Sequence, residues 1–428
     1  MVSKKRIVVV GGGFAGLNFV KYIDKSKFDV ILVDRNNYNS FPPLFYQIAS
    51  SGLGPDSICF PFRREFSKGK ARGVEFHIGE IESIDLTARK LKTQYEVLSF
   101  DYLVIAAGTT NNFFGNDRLV DSVYTLKSTA QAMRCRDEIL DRLERASICD
   151  DPEERRRLLS FTVVGGGPAG VEIAGALGEM KKYILPRNYP SIPSEDVKIT
   201  LLEGTGALLG AMSQKSQNDA LHYLGQLMVD IRLGTIMKDY TDNTVTLSDG
   251  QSFDSGMVIW TAGIKGVEIQ TSGGVLPLGK GMRIKVDDFN RVNGYEDFLF
   301  ALGDICVMDT DGYPDGHPQL AQVAIQQGRN LAKNLNRGDF LCRFAYKDKG
   351  TMATIGRNRA VADIKKTHMR GFIAWLAWMF IHLISILGMR NKISVLIDWI
   401  WGYCNYGTSL RLLLYPARHP LRWHWGEK

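Results

Sequence analysis

Short apolar runs recur along the chain with room for one helix between them. Residues 7–10 read Ile-Val-Val-Val, 102–107 read Tyr-Leu-Val-Ile-Ala-Ala, and 161–164 read Phe-Thr-Val-Val. Runs this short, rich in β-branched residues and bounded by glycine or charge, suit strands buried on both faces, as in parallel sheets. Residues 28–33, 197–202, 257–260 and 298–301 have the same character. Between them the period lengthens. Leu126, Ala130, Met133, Leu140 and Leu143 are spaced for one helical face in a connector over 126–158. At its end Arg155, Arg156 and Arg157 read as a solvated charge run. Further helices are expected over 168–184, ahead of Pro186, Pro190 and Pro193, and over 321–335.

Two of the strands run straight into glycine turns. The first turn is Gly11-Gly12-Gly13-Phe14-Ala15-Gly16; the second is Gly165-Gly166-Gly167-Pro168-Ala169-Gly170, 154 residues later. Strand, tight glycine turn and helix together bring backbone N–H groups and a helix N-terminus against a pyrophosphate. Each motif has a later strand closed by an acid that suits a ribose hydroxyl. Asp34 follows Gly11 by 23 residues, close to the usual spacing. Glu203 follows Gly165 by 38, which requires an inserted loop at 186–196. Two further strands end in small residues, Ala107-Gly108 and Ala262-Gly263, where backbone can approach a cofactor. Residues 298–304 close on Gly303-Asp304 and return the chain to the first nucleotide domain. Asp304 could also be a plain helix N-cap.

The fold class is therefore α/β: two Rossmann-like dinucleotide-binding domains, the second inserted in the first. The expected boundaries are 1–125 and 281–343 for the first domain, 126–158 for the connector, 159–280 for the second domain and 344–428 for a C-terminal region. Two dinucleotides in one chain point to an enzyme that passes electrons between them.

Charge alters the picture at one end only. The net charge is +7, and residues 365–428 carry all of it, with nine Lys/Arg against Asp398 and Glu427. A basic excess confined to the tail argues against a nucleic-acid face. Six of the seven Trp lie there too, at 375, 378, 399, 401, 423 and 425. Residues 371–389 carry no formal charge, long enough to raise the question of a membrane span, with Arg370 and Arg390 as flanks. Clustered Trp and cations favour amphipathic helices lying in a bilayer interface over a span or a soluble core helix. A two-fold contact with a second copy has a similar composition. The six Cys form no CxxC or CxxxxC pair, so neither a redox disulfide nor a metal site is expected. Residues 1–6 lead directly into the first strand without an apolar leader, so the catalytic domains are expected on the cytoplasmic side.

Three further stretches narrow the family: Phe41-Pro42-Pro43-Leu44-Phe45-Tyr46-Gln47, Gly170-Val171-Glu172 and Ala321-Gln322-Val323-Ala324-Ile325-Gln326-Gln327-Gly328. With the tail, they make the chain resemble the type II NADH:quinone oxidoreductases over nearly its whole length. The resemblance implies FAD on the first fingerprint, with Gly11, Gly13, Phe14, Ala15, Gly16, Asp34, Ala107, Gly108, Asp304, Ala321 and Gln322 around it. It implies NADH on the second, with Gly165, Gly167, Gly170, Glu172, Glu203, Ala262 and Gly263. Gln322 and Gln326 are then at the quinone side of the flavin, Glu172 at the nicotinamide end, and Tyr46 at the wall of the quinone access. It also implies monotopic attachment at the cytoplasmic face of the inner (plasma) membrane and quinone reduction without proton pumping.

The residues themselves support these roles in part. Hydride transfer needs alignment and water exclusion more than acid–base groups. Glutamines can donate to carbonyls without adding charge, yet they are also ordinary helix formers. An acid such as Glu172 in a first helical turn is favoured by the macrodipole whatever its role. Glu203 has no nearby Lys or Arg to bind a 2′-phosphate, which favours NADH over NADPH. A sulfide:quinone oxidoreductase would need positioned redox cysteines, and Cys59, Cys135 and Cys306 are scattered. A non-catalytic nucleotide sensor at the membrane is the alternative from another class.

Overall fold

The computed structural model describes residues 4–365, 367–405 and 411–413. Sequence expectations for Lys366, Arg418, Arg422, Trp423, Trp425, Glu427 and Lys428 fall outside them. The chain divides into two compact units. One gathers the residues up to Ser40, Phe60–Thr110 and Ile264–Lys349; the other gathers Phe41–Cys59, Asn111–Gly263 and the residues from Gly350 on.

The first unit is built on a five-stranded parallel sheet in the order Leu299–Ala301, Tyr102–Ile105, Lys5–Val10, Phe28–Asp34 and Glu75–Ile78. Val10 is in register with both Val33 and Ile105, so the glycine turn leaves the sheet at the C-terminal ends of three strands together. Ile7, Val8, Val9, Leu32 and Val33 are fully buried, as expected for strands covered on both faces. The helix Phe14–Tyr22 comes after the turn, and the helix Ala321–Arg337 packs against it. Gly328 permits this packing, because a Cβ there would overlap the carbonyl of Ala15 and approach Phe19 N at 3.0 Å.

The second unit repeats the plan. Its parallel sheet runs Tyr124–Thr125, Met257–Trp260, Ser160–Val164, Lys198–Leu202 and Asp230–Arg232, with Val164 in register with Leu202 and Trp260. The connector is helical over Thr129–Ser147 and Pro152–Leu158. Its buried stripe is Ala132, Cys135, Ile139, Leu143 and Ala146, whereas Ala130 is exposed and Met133 half-buried. Leu140 and Leu143 are buried as expected, but small residues carry the first half of that face, so large apolar spacing misplaced its edge there. The arginine run is not merely solvated: Arg155 and Arg156 both reach the buried Asp196, at 2.7 and 3.2 Å. The second fingerprint helix, Pro168–Glu179, widens into a π-turn over Met180–Ile184 and resumes as Leu185–Asn188. Pro186 sits in the first turn of that last segment, where its missing N–H costs nothing.

The C-terminal part of the second unit is an antiparallel sheet, Thr351–Thr354, Ala360–Ile364 and Thr367–Arg370, succeeded by the helices Gly371–Ser385 and Met389–Asn405. The long apolar run breaks at Ile386, which is extended, and at Gly388, with φ +78. No helix among the described residues is long and apolar enough to cross a membrane, and within 371–389 the helix covers 15 residues, Gly371–Ser385.

Candidate active site

Both glycine turns are shaped by close backbone approach. Gly11 has φ +94 and lies against the carbonyl of Ala106; Gly165 has φ +109, and a Cβ there would sit 2.8 Å from Ala262 N. An L side chain would be strained at either position and would collide there. Gly16 and Gly170 back directly onto the carbonyls of Gly11 and Gly165, which seats each helix tightly on its turn. By contrast, a Cβ at Gly13 or Gly167 would meet nothing within 4 Å. These positions face open space at the start of each helix, as a pyrophosphate requires.

The strand-end acids act alike. Asp34 Oδ2 accepts from Gly12 N–H at 2.7 Å and Oδ1 from Asn36 N–H at 2.8 Å. Burial pushes the Asp34 carboxyl up, and these two N–H donors hold it back. Glu203 Oε2 accepts from Gly166 N–H at 2.6 Å and Oε1 from Thr205 N–H at 2.7 Å. The extra spacing before Glu203 is taken up by Leu185–Asn188 and the short turn Ser194–Asp196. Each acid thus pins the second glycine of its fingerprint.

In the first unit, Phe14 and Ala15 open the fingerprint helix, and Ala107-Gly108 lie just past the strand beside it. Asp304 lies in the turn Gly303–Ile305, whose N-cap is Leu302, so Asp304 is not an N-cap. The turn is fixed by Gly303 N–H donating to Gln327 Oε1 at 2.7 Å and by Gln319 Nε2 donating to the Asp304 carbonyl at 3.0 Å. Ala321 starts the long helix. Gln327 and Gly328 serve its buried face, and Gln322 and Gln326 lie on the other side. Both amides clasp the segment 347–349. Lys349 N–H donates to Gln322 Oε1 and Lys347 N–H to Gln326 Oε1, each at 3.0 Å, while Gln326 Nε2 donates to the Lys347 carbonyl at 3.0 Å. The motif alone gave no sign of this partner.

Glu172 and Tyr46 belong to the second unit and meet in one cavity of about 180 Å³. Its walls include Tyr46, Glu172, Glu179, Trp378, Asp398 and Trp399. Glu172 is 8% exposed and accepts from Thr354 N–H at a long 3.4 Å. Burial raises its carboxyl to about 8. The indole N–H of Trp378 lies near enough to favour the charged form, yet makes no hydrogen bond of ordinary length. Two helical turns on, Glu179 is also pushed up by burial and accepts from Arg357 N–H at 2.5 Å. The Arg357 guanidinium donates to the Gly402 carbonyl and lies over the Tyr403 ring at 4.8 Å. Glu179, Gln47, Arg357 and Trp399 were absent from the sequence-derived set. Glu179 had a signal in its seven-residue spacing from Glu172, Gln47 in the stretch 41–47 and Trp399 in the tryptophan cluster, whereas Arg357 had none.

Cys135 and Cys306 are buried. Burial pushes Cys306 up to about 12 and Cys135 higher still, so neither is a thiolate near neutral pH.

Comparisons with known proteins agree with this plan. Residues 5–328 match the pyridine nucleotide-disulphide oxidoreductase family, and residues 349–403 match the NDH2 C-terminal domain. The type II NADH:quinone oxidoreductase Ndh of Mycobacterium tuberculosis is 32% identical over 418 residues, covering 92% of this chain and 87% of that protein. The external NADH-ubiquinone oxidoreductase 2 of Saccharomyces cerevisiae mitochondria is 28% identical over 454 residues, covering 94% and 81%. In fold, NDH2 from Plasmodium falciparum in complex with NADH superposes with a TM-score of 0.89 at 20% identity, over 96% of this chain and 100% of that one. The sulfide:quinone oxidoreductase of Aquifex aeolicus superposes less well, with a TM-score of 0.72 at 17% identity over 94% and 96%. With twin cradles and a matching C-terminal domain, the chain belongs to the type II NADH:quinone oxidoreductase family.

Proposed function

We propose that this chain oxidises NADH with bound FAD as its carrier and reduces a quinone drawn from a lipid bilayer. The single observation behind this reading is the pairing of two equivalent nucleotide cradles with one acid-lined cavity. Bound FAD supplies a two-electron relay between a hydride donor and a quinone. The residues around the first turn suit it: open space at Gly13, a pinned Gly12 and the ordered Gly303–Ile305 turn. The second turn binds NADH, and Glu203 disfavours a 2′-phosphate there.

Quinol formation takes two electrons and two protons. The hydride of NADH carries both electrons and one proton, so one more proton must come from the protein side in each turnover. With its carboxyl raised to about 8, Glu172 holds that proton at neutral pH at the cavity wall. It loses this capacity as pH rises through that value. Nothing in this cycle moves charge across a membrane.

The tail helices present a lipid-facing surface. Phe372, Ile373, Phe380 and Ile384 on the first helix are exposed, as are Ile393, Ile397, Ile400 and Trp401 on the second. Arg390, at the start of the second, is exposed beside them. Apolar residues flanked by cations suit an anionic leaflet, here the cytoplasmic one, better than a second copy of the chain.

Anaerobic titration tests the reading. NADH should bleach the flavin spectrum of the loaded protein, and a short-chain ubiquinone should restore it. A flavin that NADH bleaches but that only oxygen reoxidises would overturn it.

A further inference from the structure

The cavity in the second unit contains a hydrogen-bond chain whose direction is fixed. Trp399 Nε1 lies 2.8 Å from Gln47 Oε1. Indole nitrogen has one hydrogen and no acceptor lone pair, so it must donate. The Gln47 atom it meets is therefore the carbonyl oxygen, which settles which end of the amide points where. The Gln47 Nε2 end then lies 2.7 Å from the Tyr46 hydroxyl and donates to it. The Tyr46 oxygen is consumed as an acceptor in that direction, and its own hydrogen must point elsewhere. No described residue accepts it. Tyr46 is only 8% exposed, and its ring is held edge-on to Trp378 at 6.4 Å. All of these residues line the cavity. A buried donor without a protein acceptor costs stability unless water or a ligand supplies one, and the cavity has room for either.

We infer that Tyr46 donates its hydroxyl hydrogen to a carbonyl oxygen of the quinone, and that Gln47 and Trp399 are positioning residues that keep this O–H aimed into the cavity. This rests on the quinone reading of the cavity and gives Tyr46 a specific role, where the sequence suggested only a wall. Burial also holds the phenol fully protonated, so the donor is present across the working pH range. The chain runs from the second tail helix, Met389–Asn405, to the short helix Phe45–Ala49. The helix that carries the exposed apolar face therefore also orients the donor.

The test uses FAD-loaded protein under anaerobic conditions with ubiquinone-1 as the probe. Binding is read by quenching of tryptophan fluorescence, and the hydrogen bond by the infrared carbonyl band of the bound quinone. In wild type that band should lie below its free position and should move when the protein is exchanged into D2O. Tyr46→Phe should return the band toward the free position, abolish the D2O effect and weaken binding about 3- to 10-fold. Trp399→Phe leaves Tyr46 in place but frees the Gln47 amide to flip, so the band should broaden between the two positions. A purely structural role for Trp399 would not move it. Flavin content and melting temperature check that each variant is folded. An unchanged carbonyl band and affinity in Tyr46→Phe would overturn the donor assignment, and an unchanged band in Trp399→Phe would overturn the positioning roles. If wild type bleaches with NADH but does not bind ubiquinone-1, both this assignment and the quinone reading fall.

Discussion

The two nucleotide cradles are close copies, but the helices that lead out of them differ in chemistry. In each cradle, a glycine in the left-handed region, a glycine backed onto a carbonyl and a strand-end acid pinning the second glycine build the same turn. The helix behind the first turn, Phe14–Tyr22, carries no acid and is covered by the helix Ala321–Arg337. The helix behind the second, Pro168–Glu179, carries a buried Glu172 and a half-buried Glu179, and the C-terminal sheet packs against it. The first cradle is thus a holder. The second is a holder whose helix also lines a cavity with Glu172 and Glu179. The turn geometry is repeated, and acids stand on the helix of one copy only.

The sharpest way to break this comparison is to close each turn separately. Gly16→Val should eliminate flavin retention, and Gly170→Val should eliminate bleaching by NADH while flavin stays bound, because each side chain would collide with a carbonyl one turn earlier. Flavin absorbance after gel filtration and anaerobic NADH titration measure the two losses. If either variant lost both ligands, the cradles would not be independent.

Next in size is Glu172→Gln, which should slow quinone reduction about 100-fold, the range for a lost general acid. The wild-type rate should fall as pH rises through about 8, and that limb should vanish in the variant. Stability gives a second readout. The folded carboxyl is raised above its unfolded value, so the folded state holds a proton that the unfolded state has lost. Wild-type stability should therefore decline from about pH 4.5 to 8 by about 1.4 kcal/mol per unit from this group, and melting curves of Glu172→Gln should lack that slope.

Asp34→Asn and Glu203→Gln should each weaken only their own ligand, about 10-fold, since each removes a charged acceptor from a glycine N–H. Equilibrium dialysis of FAD and fluorescence titration of NADH would separate them. The smallest effect is expected outside both cradles. Phe380→Asp should cut sedimentation with anionic vesicles several-fold while turnover of a soluble quinone stays near wild type.

Much of the nucleotide-binding plan was legible because it is local. Gly11-Gly12-Gly13 and Asp34 lie within one strand–helix–strand unit, and backbone sterics at Gly11 and Gly165 leave few residue choices. Glu203 was placed at a strand end despite its spacing, since the insertion is a self-contained excursion. The cavity was less legible, because its polar contacts join residues far apart in sequence. Trp399 meets Gln47 across 352 positions and Thr354 meets Glu172 across 182, and no periodicity encodes either pair. Residues 41–59 illustrate the same limit: nothing in their sequence showed that they would join the second unit with the tail. The connector was read correctly as helical, and Leu140 and Leu143 lie on its buried face, but Ala132 and Cys135 are weak hydrophobic signals and the face was misplaced at Ala130 and Met133.

The measurement closest to the central claim is anaerobic stopped-flow on flavin-loaded wild type and Glu172→Gln, mixing first with NADH and then with ubiquinone-1. The two-cradle account expects equal bleaching in both proteins and a slow second phase in the variant alone. Equal reoxidation rates in the two proteins, or a variant that NADH cannot bleach, would contradict it.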